Sequence, residues 1–155
     1  MSKSLKRVRA ALEGLGHPAT IVETPLSRTA AQAAKAVGCE IDQIAKSIIF
    51  RGETSGEAIL FVTAGGNTVD AAKASALAGE PLGKADAALI RAQTGFAIGG
   101  VSPVGHLNPI RTFMDPRLLD FAEIWGAAGT PTHVFSANPS EIERMSLAQV
   151  ADFTS

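Results

Sequence analysis

The stretch IAKSIIFRGETSGEAILFVTA, residues 44–64, decides the fold of this chain. Two runs rich in β-branched and aromatic residues, 44–50 and 57–64, flank the turn-forming hexapeptide RGETSG at 51–56. This pattern is typical of two antiparallel strands joined by a longish loop. We therefore expect a β-hairpin near the middle of the chain.

Helix and strand patterns continue on both sides of this hairpin. Before it, the spacing predicts an amphipathic helix over 3–15, a short strand over 19–23 and a capped, alanine-rich helix over 27–38. After it, we expect helices over 68–79, 84–95 and 138–145, a helical turn over 115–121, and strands at 110–114, 123–129 and 132–137. The order shows no strict βαβ alternation and no repeat. It predicts one α+β domain over 1–155, with a mixed, partly barrel-like sheet flanked by helices.

Composition narrows the class of protein. Apolar residues make up 46% of the 155 residues and charged residues 19%, which is typical of an ordered globular chain. No apolar run approaches the roughly 18 residues of a membrane span, and the basic N-terminus lacks the apolar core of a secretory signal. We therefore expect a cytoplasmic protein with no membrane partner. The net charge of −1 predicts no DNA partner, so any RNA contact must be local.

One local concentration of positive charge lies on the first predicted helix. Helical spacing places its leucine and valine side chains on one face and its basic side chains on the other. The apolar set is Leu5, Val8, Leu12 and Leu15, and the basic set is Lys3, Lys6, Arg7 and Arg9. The basic set is interpreted as a solvated outer face, with a strip that contacts phosphates as the alternative.

Common catalytic and metal-binding motifs are missing from the sequence. There is no GxxxxGK[ST], HExxH, CxxC or GxSxG motif. The single cysteine, Cys39, excludes an internal disulfide and is interpreted as a small packed side chain rather than a nucleophile. His17 precedes a proline in a turn and is expected at the surface, and the other two histidines are far from it in sequence. We expect no metal and no cofactor.

Lys46 is the residue that least fits its surroundings, because it interrupts an apolar strand. Its ammonium group either reaches out to water along the strand, or points into a cleft as a donor to phosphate or carbonyl oxygen. A second unusual segment is AIGGVSPVGHLNP at 97–109, which holds three glycines and Pro103 within seven positions. It is either a surface turn or a loop whose bare amides approach a ligand closely.

These features together resemble a known family. QIAKSIIF around Lys46, TGFAIGGVSPVG about fifty residues later, and MDPRLL after that are similar to the YbaK/prolyl-tRNA-synthetase-associated editing domain family, over about residues 20–150. The resemblance implies a free-standing deacylase that acts on the 3′ end of a mischarged aminoacyl-tRNA. It also implies prolyl-tRNA synthetase as a partner. For function, it implies hydrolysis of tRNA(Pro) carrying cysteine, alanine or another small amino acid.

The same resemblance assigns roles to individual residues. Lys46 matches the family lysine that engages the terminal nucleotide or the ester, and Gly99–Pro103 matches the G-x-x-x-P loop that positions the aminoacyl group. The implied catalytic set is Lys46, Gly100, Val101 and Ser102, and the implied substrate-binding set is Gly99, Pro103, Val104, Gly105 and His133. Because an aminoacyl ester is already activated, a positioned water or the neighbouring ribose hydroxyl suffices as nucleophile or base.

Two positions depart from the alanine-editing branch of that family. Ser47 stands where an asparagine is expected after the lysine, and His133 is the available substitute for a late histidine, with a structural role as its alternative. Cysteine, serine, threonine and other small amino acids therefore remain open as the group removed. Another alternative is a non-catalytic module that binds a tRNA end or a synthetase. A small-molecule esterase would need a nucleophile that the sequence does not offer.

Overall fold

The computed structural model describes residues 2–155, and these form one mixed sheet with helices packed around it. Within that range there are eight strands and five α-helices. The strands are β1 (Ile21–Glu23), β2 (Ile44–Gly52), β3 (Ala58–Ala64), β4 (Leu82–Lys84), β5 (Arg111–Met114), β6 (Ile124–Thr130), β7 (His133–Ala137) and β8 (Gln149–Val150). The helices are α1 (Lys3–Gly14), α2 (Ala30–Val37), α3 (Ala71–Ala78), α4 (Ala87–Thr94) and α5 (Pro139–Ser146). Short 3₁₀ turns cover Ile41–Gln43 and Pro116–Asp120.

The predicted hairpin is the centre of the sheet. Strands β2 and β3 pair antiparallel from Ala45 opposite Ala64 to Arg51 opposite Ala58. Strand β3 is buried along its whole length, because β5 pairs with its other edge and both of its faces pack against hydrophobic clusters. A strand buried on both faces reads as a continuous apolar run, which is why the sequence made this element easy to predict.

The α+β class is confirmed, but the sheet is open rather than partly closed. Its strands follow the linear order β1-β7-β6-β2-β3-β5-β8, with β4 added to β2. The end strands β1 and β8 do not pair with each other, so no barrel closes. Both are short, at three and two residues, which limits the edge that is left unpaired. Strands β4 and β8 were not predicted, because two or three residues carry no readable period.

Side-chain caps begin α2, α3 and α4. Thr29, Asp70 and Asp86 each accept a backbone N–H at the start of a helix. Glycines adopt the left-handed conformation just after α2, α3 and α4. Two expectations about α1 and its exit were wrong. Leu15 is 38% exposed because the helix has already ended, and His17 is buried. The His17 ring accepts from the Ala19 amide and donates to the Ser136 carbonyl, so it holds the turn against β7.

Candidate active site

A cleft of about 880 Å³ opens where β2 and β6 separate. One wall is the segment 24–33, which leads into α2. The opposite walls are the first half of β2, the β6–β7 hairpin, and the start of the glycine loop at 98–101.

In the part of the chain that the structure describes, no helix is long and apolar enough to cross a membrane.

The separation of β2 from β6 explains why the glycine loop reaches the cleft. These parallel strands pair only at Ile44 with Trp125 and at Ala45 with Gly126. Just beyond, the loop packs on β6, where a Cβ added to Gly100 would lie 2.9 Å from the Cα of Thr130. Real side chains do not approach backbone this closely. Glycine at position 100 therefore lets the loop pack against the end of β6, beyond the residues of β6 that pair with β2.

Lys46 lines this cleft from β2, and its ammonium group donates to the carbonyl oxygen of Gly65 at 3.2 Å. Gly65 belongs to the turn that follows β3, and a Cβ there would overlap the carbonyl oxygen of Ile41. The turn is therefore packed tightly beneath the lysine. This contact fixes one of the three ammonium donors and leaves the others for a ligand.

Two carboxylates hold the turn that anchors Lys46. Asp115 is buried, and its Oδ2 accepts from the Ala64 amide at 3.1 Å and from Asn67 Nδ2 at 2.9 Å. Asp42 Oδ1 accepts from the Gly66 amide at 2.8 Å. Neither carboxylate was expected to have a role. The only available signal was the position of Asp115 in the MDPRLL segment, whereas the link from Asp42 is a long-range contact.

The glycine loop contributes some, but not all, of its predicted residues to the cleft. Gly99 and Val101 line it, and within residues 2–155 their amides have no hydrogen-bond acceptor. The Gly100 amide donates to the Ala97 carbonyl at 3.0 Å, so it turns the loop instead of facing a ligand. The remaining predicted loop residues, Ser102, Pro103, Val104 and Gly105, lie behind the lining.

Ser102 supports the loop from below. It is fully buried, and its hydroxyl accepts from the Val104 amide at 3.1 Å. Its carbonyl accepts from Nε2–H of His106 at 2.6 Å. Burial lowers the pKa of His106 below its usual value, and the nearby charge of Arg7 lowers it further. The imidazole is therefore a neutral donor under the loop near pH 7.

Arg7 was expected on the outer face of α1, and that expectation was wrong. Its guanidinium turns inward, donating from Nε to the Gly105 carbonyl at 2.7 Å and from Nη2 to the Gly95 carbonyl at 2.9 Å. It also lies 4.6 Å from the centroid of the Phe96 ring. Helical spacing gave no hint of this, because the acceptors come from a loop nearly one hundred residues away. Arg7 therefore ties the chain on both sides of the Gly99–Pro103 loop to α1.

His133 lines the cleft at the start of β7. Its Nδ1 lies 2.7 Å from the hydroxyl of Thr130, and its Nε2 lies 3.5 Å from a carboxylate oxygen of Glu23. The Glu23 side chain is 78% exposed, so this second contact is weak. The Thr130 contact orients the ring at the cleft wall.

Three further polar or aromatic side chains line the cleft, and the cysteine lies outside it. Arg28 and Trp125 line the cleft and were not singled out from sequence. Ser47 also lines it, but its hydroxyl is buried and has no hydrogen-bond partner in the described chain. Cys39 lies outside the cleft, and burial raises the pKa of its thiol, so it is a poor nucleophile. Among residues 2–155, no three His, Cys, Asp or Glu side chains gather as a metal site would require.

Comparison with known proteins agrees with this architecture. A crystal structure described as that of a candidate trans-editing enzyme for prolyl-tRNA synthetase is 46% identical, with a TM-score of 0.92 over 100% of this chain and 99% of that chain. The crystal structure of the hypothetical protein APE2540 is 26% identical, with a TM-score of 0.87 over 96% of this chain and 99% of that one.

Curated and family comparisons point the same way. The uncharacterized protein YwhH of Bacillus subtilis (strain 168) is 31% identical over 148 residues, which is 95% of this chain and 94% of YwhH. The profile of the aminoacyl-tRNA editing domain matches residues 24–145, a segment that contains Lys46 and the glycine loop. The resemblance seen in the sequence is thereby confirmed, and the chain belongs to the aminoacyl-tRNA editing domain family.

Proposed function

We propose that this protein is a cytoplasmic deacylase that acts in trans on tRNA mischarged with a small amino acid. The first candidate substrates are tRNA(Pro) carrying cysteine, alanine, serine or threonine. The observation that carries the proposal is that Lys46, Gly99 and Val101 line one cleft, and that the amides of the two loop residues have no hydrogen-bond acceptor within residues 2–155. The second candidate, a module that binds a tRNA end without hydrolysis, uses the same cleft and is separated by the experiment below.

The chemistry needs stabilisation of negative charge more than it needs a protein nucleophile. Attack on the ester carbonyl places a negative charge on its oxygen in the tetrahedral intermediate. Fixed N–H donors aimed at that oxygen lower the barrier by about 3–4 kcal/mol for each well-placed donor. In this proposal, the amides of Gly99 and Val101 and the Lys46 ammonium supply these donors. The tight turn at Gly65 keeps the lysine from rotating away when the substrate is absent.

The attacking water is activated by the substrate or by the wall of the cleft. The ribose hydroxyl next to the ester lies beside the reacting carbon in any aminoacyl-tRNA, so it can position the water. His133 is the alternative base, because its ring is oriented by Thr130 on the cleft wall. A His133→Asn variant separates the two: if the ribose hydroxyl does the work, kcat keeps its pH dependence and falls by less than about ten-fold.

Recognition of the tRNA body is expected to be weak. The net charge of −1 provides little general attraction for a polyanion. A partner synthetase would supply the missing affinity, and we propose prolyl-tRNA synthetase, the enzyme named in the description of the 46% identical structure. The isolated protein should then bind tRNA weakly and lose affinity steeply as salt is raised.

A deacylation panel tests the proposal. Purified protein is mixed with tRNA(Pro) charged with Ala, Cys, Ser, Thr or Pro, and loss of the ester is followed over time. We expect one or more of the small mischarged substrates to be hydrolysed faster than Pro-tRNA(Pro). Lys46→Ala should lower kcat by at least about one hundred-fold, roughly the effect of one lost oxyanion donor. Lys84→Ala, an exposed strand lysine outside the cleft, is the matched control and should change nothing.

One result would overturn the role of Lys46 and another the deacylase itself. Unchanged turnover in Lys46→Ala would remove the lysine from the chemistry. Hydrolysis of no substrate, with binding of the tRNA 3′ end retained, would establish the non-catalytic module instead.

A further inference from the structure

Three basic side chains form a strip along the outer surface of α1. Lys3, Lys6 and Arg9 are spaced three residues apart, so they follow one ridge of the helix over about 9 Å. Both lysines are exposed and Arg9 is partly exposed, whereas the opposite face of α1 is buried in the core. Arg7 does not belong to this basic strip, because its guanidinium turns inward.

The basic strip has no partner within the described chain. Among residues 2–155, none of its three side chains forms an ion pair or a hydrogen bond, and the sequence has no acidic residue before Glu13. Cations elsewhere that lack such contacts are separated from one another, at Arg28, Lys35, Lys84 and Arg91. Within the described chain, α1 is thus the element on which three unengaged cations lie together.

The order of charges along α1 opposes helix stability. A helix has partial positive charge at its N-terminus and partial negative charge at its C-terminus, so it favours acidic side chains at its start and basic ones at its end. In α1 this order is reversed, with Lys3 and Lys6 in the first half and Glu13 in the last turn. Positive charge is therefore concentrated at one end of the helix at the expense of its stability. A binding role for that end explains the arrangement.

The positive end of α1 lies beside the rim of the cleft. A Cβ added to Gly129 would lie 2.7 Å from the carbonyl oxygen of Ser4, so the first turn of α1 packs directly on the end of β6. Gly129 also contacts Gly100 of the glycine loop, and the next two residues, Thr130 and Pro131, line the cleft. The basic strip therefore begins next to the rim and extends from there along α1.

A row of phosphates is the partner that the basic strip fits. Helix α1 contains no aromatic residue, so its outer surface offers point charges in a row and no platform for a stacked base. The net charge of −1 means that attraction of a polyanion must be local. In the proposed function, the 3′ end of the tRNA enters the cleft. The paired acceptor stem then lies outside it, a few nucleotides away, where the basic strip begins.

We propose that Lys3, Lys6 and Arg9 bind the phosphate backbone of the tRNA acceptor stem while the 3′ end occupies the cleft. The contact is electrostatic, so it contributes affinity and position but does not read the base sequence. The inference rests on the proposed function for the identity of the RNA. It assigns a surface that lies outside the cleft and outside the profile match at 24–145.

Binding of uncharged RNA tests the basic strip independently of hydrolysis. The wild type and the strip variant, Lys3→Gln/Lys6→Gln/Arg9→Gln, are titrated at several salt concentrations with a hairpin RNA that carries the tRNA(Pro) acceptor stem and its 3′ end. We expect the slope of log affinity against log salt to be reduced by about 2.7 in the strip variant, since each phosphate contact on a duplex contributes about 0.9. An unchanged slope would overturn the proposal.

Two comparisons locate the contact. The control variant, Lys35→Gln/Arg51→Gln/Lys84→Gln, removes the same charge from exposed side chains on other elements outside the cleft, and it should keep the wild-type slope. A slope reduced as far as in the strip variant would show that net charge alone matters. A single-stranded oligonucleotide ending in CCA lacks the stem, so the wild type and the strip variant should bind it equally. An equal loss on the single strand and the hairpin would overturn the assignment to the stem.

The strip variant should fold as stably as the wild type. Its three side chains have no partner within residues 2–155, and Lys3 and Lys6 oppose the helix dipole, so the urea midpoint should not fall. A charge-keeping variant, Lys3→Arg/Lys6→Arg/Arg9→Lys, should bind the hairpin with the wild-type slope. Binding as weak as that of the strip variant would overturn the electrostatic role.

Deacylation kinetics separate this inference from the proposed function. For an active wild type, we expect the strip variant to raise KM at least about ten-fold with kcat unchanged, because the stem is bound equally in the ground state and the transition state. An unaltered KM together with an unaltered salt slope would overturn the basic strip and leave the deacylase. Strip-dependent binding of the hairpin by a wild type that hydrolyses no substrate would overturn the deacylase and leave the basic strip.

Discussion

Arg7 on α1 donates a 2.7 Å hydrogen bond to the carbonyl oxygen of Gly105, 98 positions further along the chain. The same guanidinium donates to the carbonyl oxygen of Gly95. One side chain therefore binds the chain on both sides of the Gly99–Pro103 loop. Helix α1 lies outside the segment 24–145 that matches the family profile. A helix outside the profile match therefore holds the chain on both sides of the Gly99–Pro103 loop.

The first prediction concerns this clamp. Arg7→Met keeps apolar contact with Phe96 but removes both hydrogen bonds. The loop then becomes more mobile, and the amides of Gly99 and Val101 are no longer held in one orientation. We expect the free energy of unfolding to fall by about 1–3 kcal/mol, and kcat to fall by at least about ten-fold in the deacylation assay. Glu13→Met, an exposed change on the same helix, is the control. A clamp variant as active as the control would show that the loop holds its shape unaided.

The second prediction concerns the close packing of Gly100 on β6. Gly100→Ala places a methyl group 2.9 Å from the Cα of Thr130 and 3.0 Å from the carbonyl of Gly129, and both contacts are with backbone rather than with a flexible side chain. The loop must shift, and we expect kcat/KM to drop at least about ten-fold in the panel. Gly14→Ala is the control, because nothing lies within 4 Å of its added Cβ. At that helical position, alanine should stabilise the protein by about 0.5–1 kcal/mol. Full activity in Gly100→Ala would contradict the close-packing argument.

The third prediction concerns acid stability. Burial holds the pKa of His106 below its usual value, so the folded protein keeps this ring neutral. The unfolded chain takes up a proton as the pH falls through about 6.5, and the folded chain does not until lower pH. The contribution to stability is thus fully present above pH 7 and is lost below about 6.5, by at most about 1.4 kcal/mol per pH unit.

Urea unfolding of wild type and His106→Gln between pH 7.5 and 5 measures this effect. The wild-type free energy of unfolding should decline more steeply toward acid than that of the variant. Parallel curves would show that His106 does not carry the pH dependence.

The fourth prediction compares two serines whose substitution by alanine should have opposite consequences. The Ser47 hydroxyl is buried and has no hydrogen-bond partner among residues 2–155, so Ser47→Ala removes an unsatisfied group and should raise the free energy of unfolding by about 1 kcal/mol. The Ser102 hydroxyl accepts from the Val104 amide, so Ser102→Ala should lower it by about 1 kcal/mol. Denaturant titration of both variants gives the comparison. A loss of stability in Ser47→Ala would mean that its hydroxyl has a partner after all.

Much of the local structure could be read from the sequence because its causes are local. The apolar runs at 44–50 and 57–64 predicted the hairpin, and glycines at 38, 79 and 95 marked helix ends. Strand β4 was missed because three residues show no period. The inward turn of Arg7 was missed because helical spacing places a side chain on a face without revealing what will cover that face.

By itself, the sequence determined the α+β class, the family, and two segments with chemistry to offer, Lys46 and the glycine loop. Only the tertiary structure decided that Gly99 and Val101, rather than Ser102 or Gly105, meet the lysine at a cleft. The same is true of the anchoring of Lys46 by Gly65, of the clamp from Arg7, and of the place of Trp125 in the cleft wall. The physical reason is that helices, caps and turns arise from interactions over a few residues. A cleft arises from strand pairing and packing between residues that are distant in the chain.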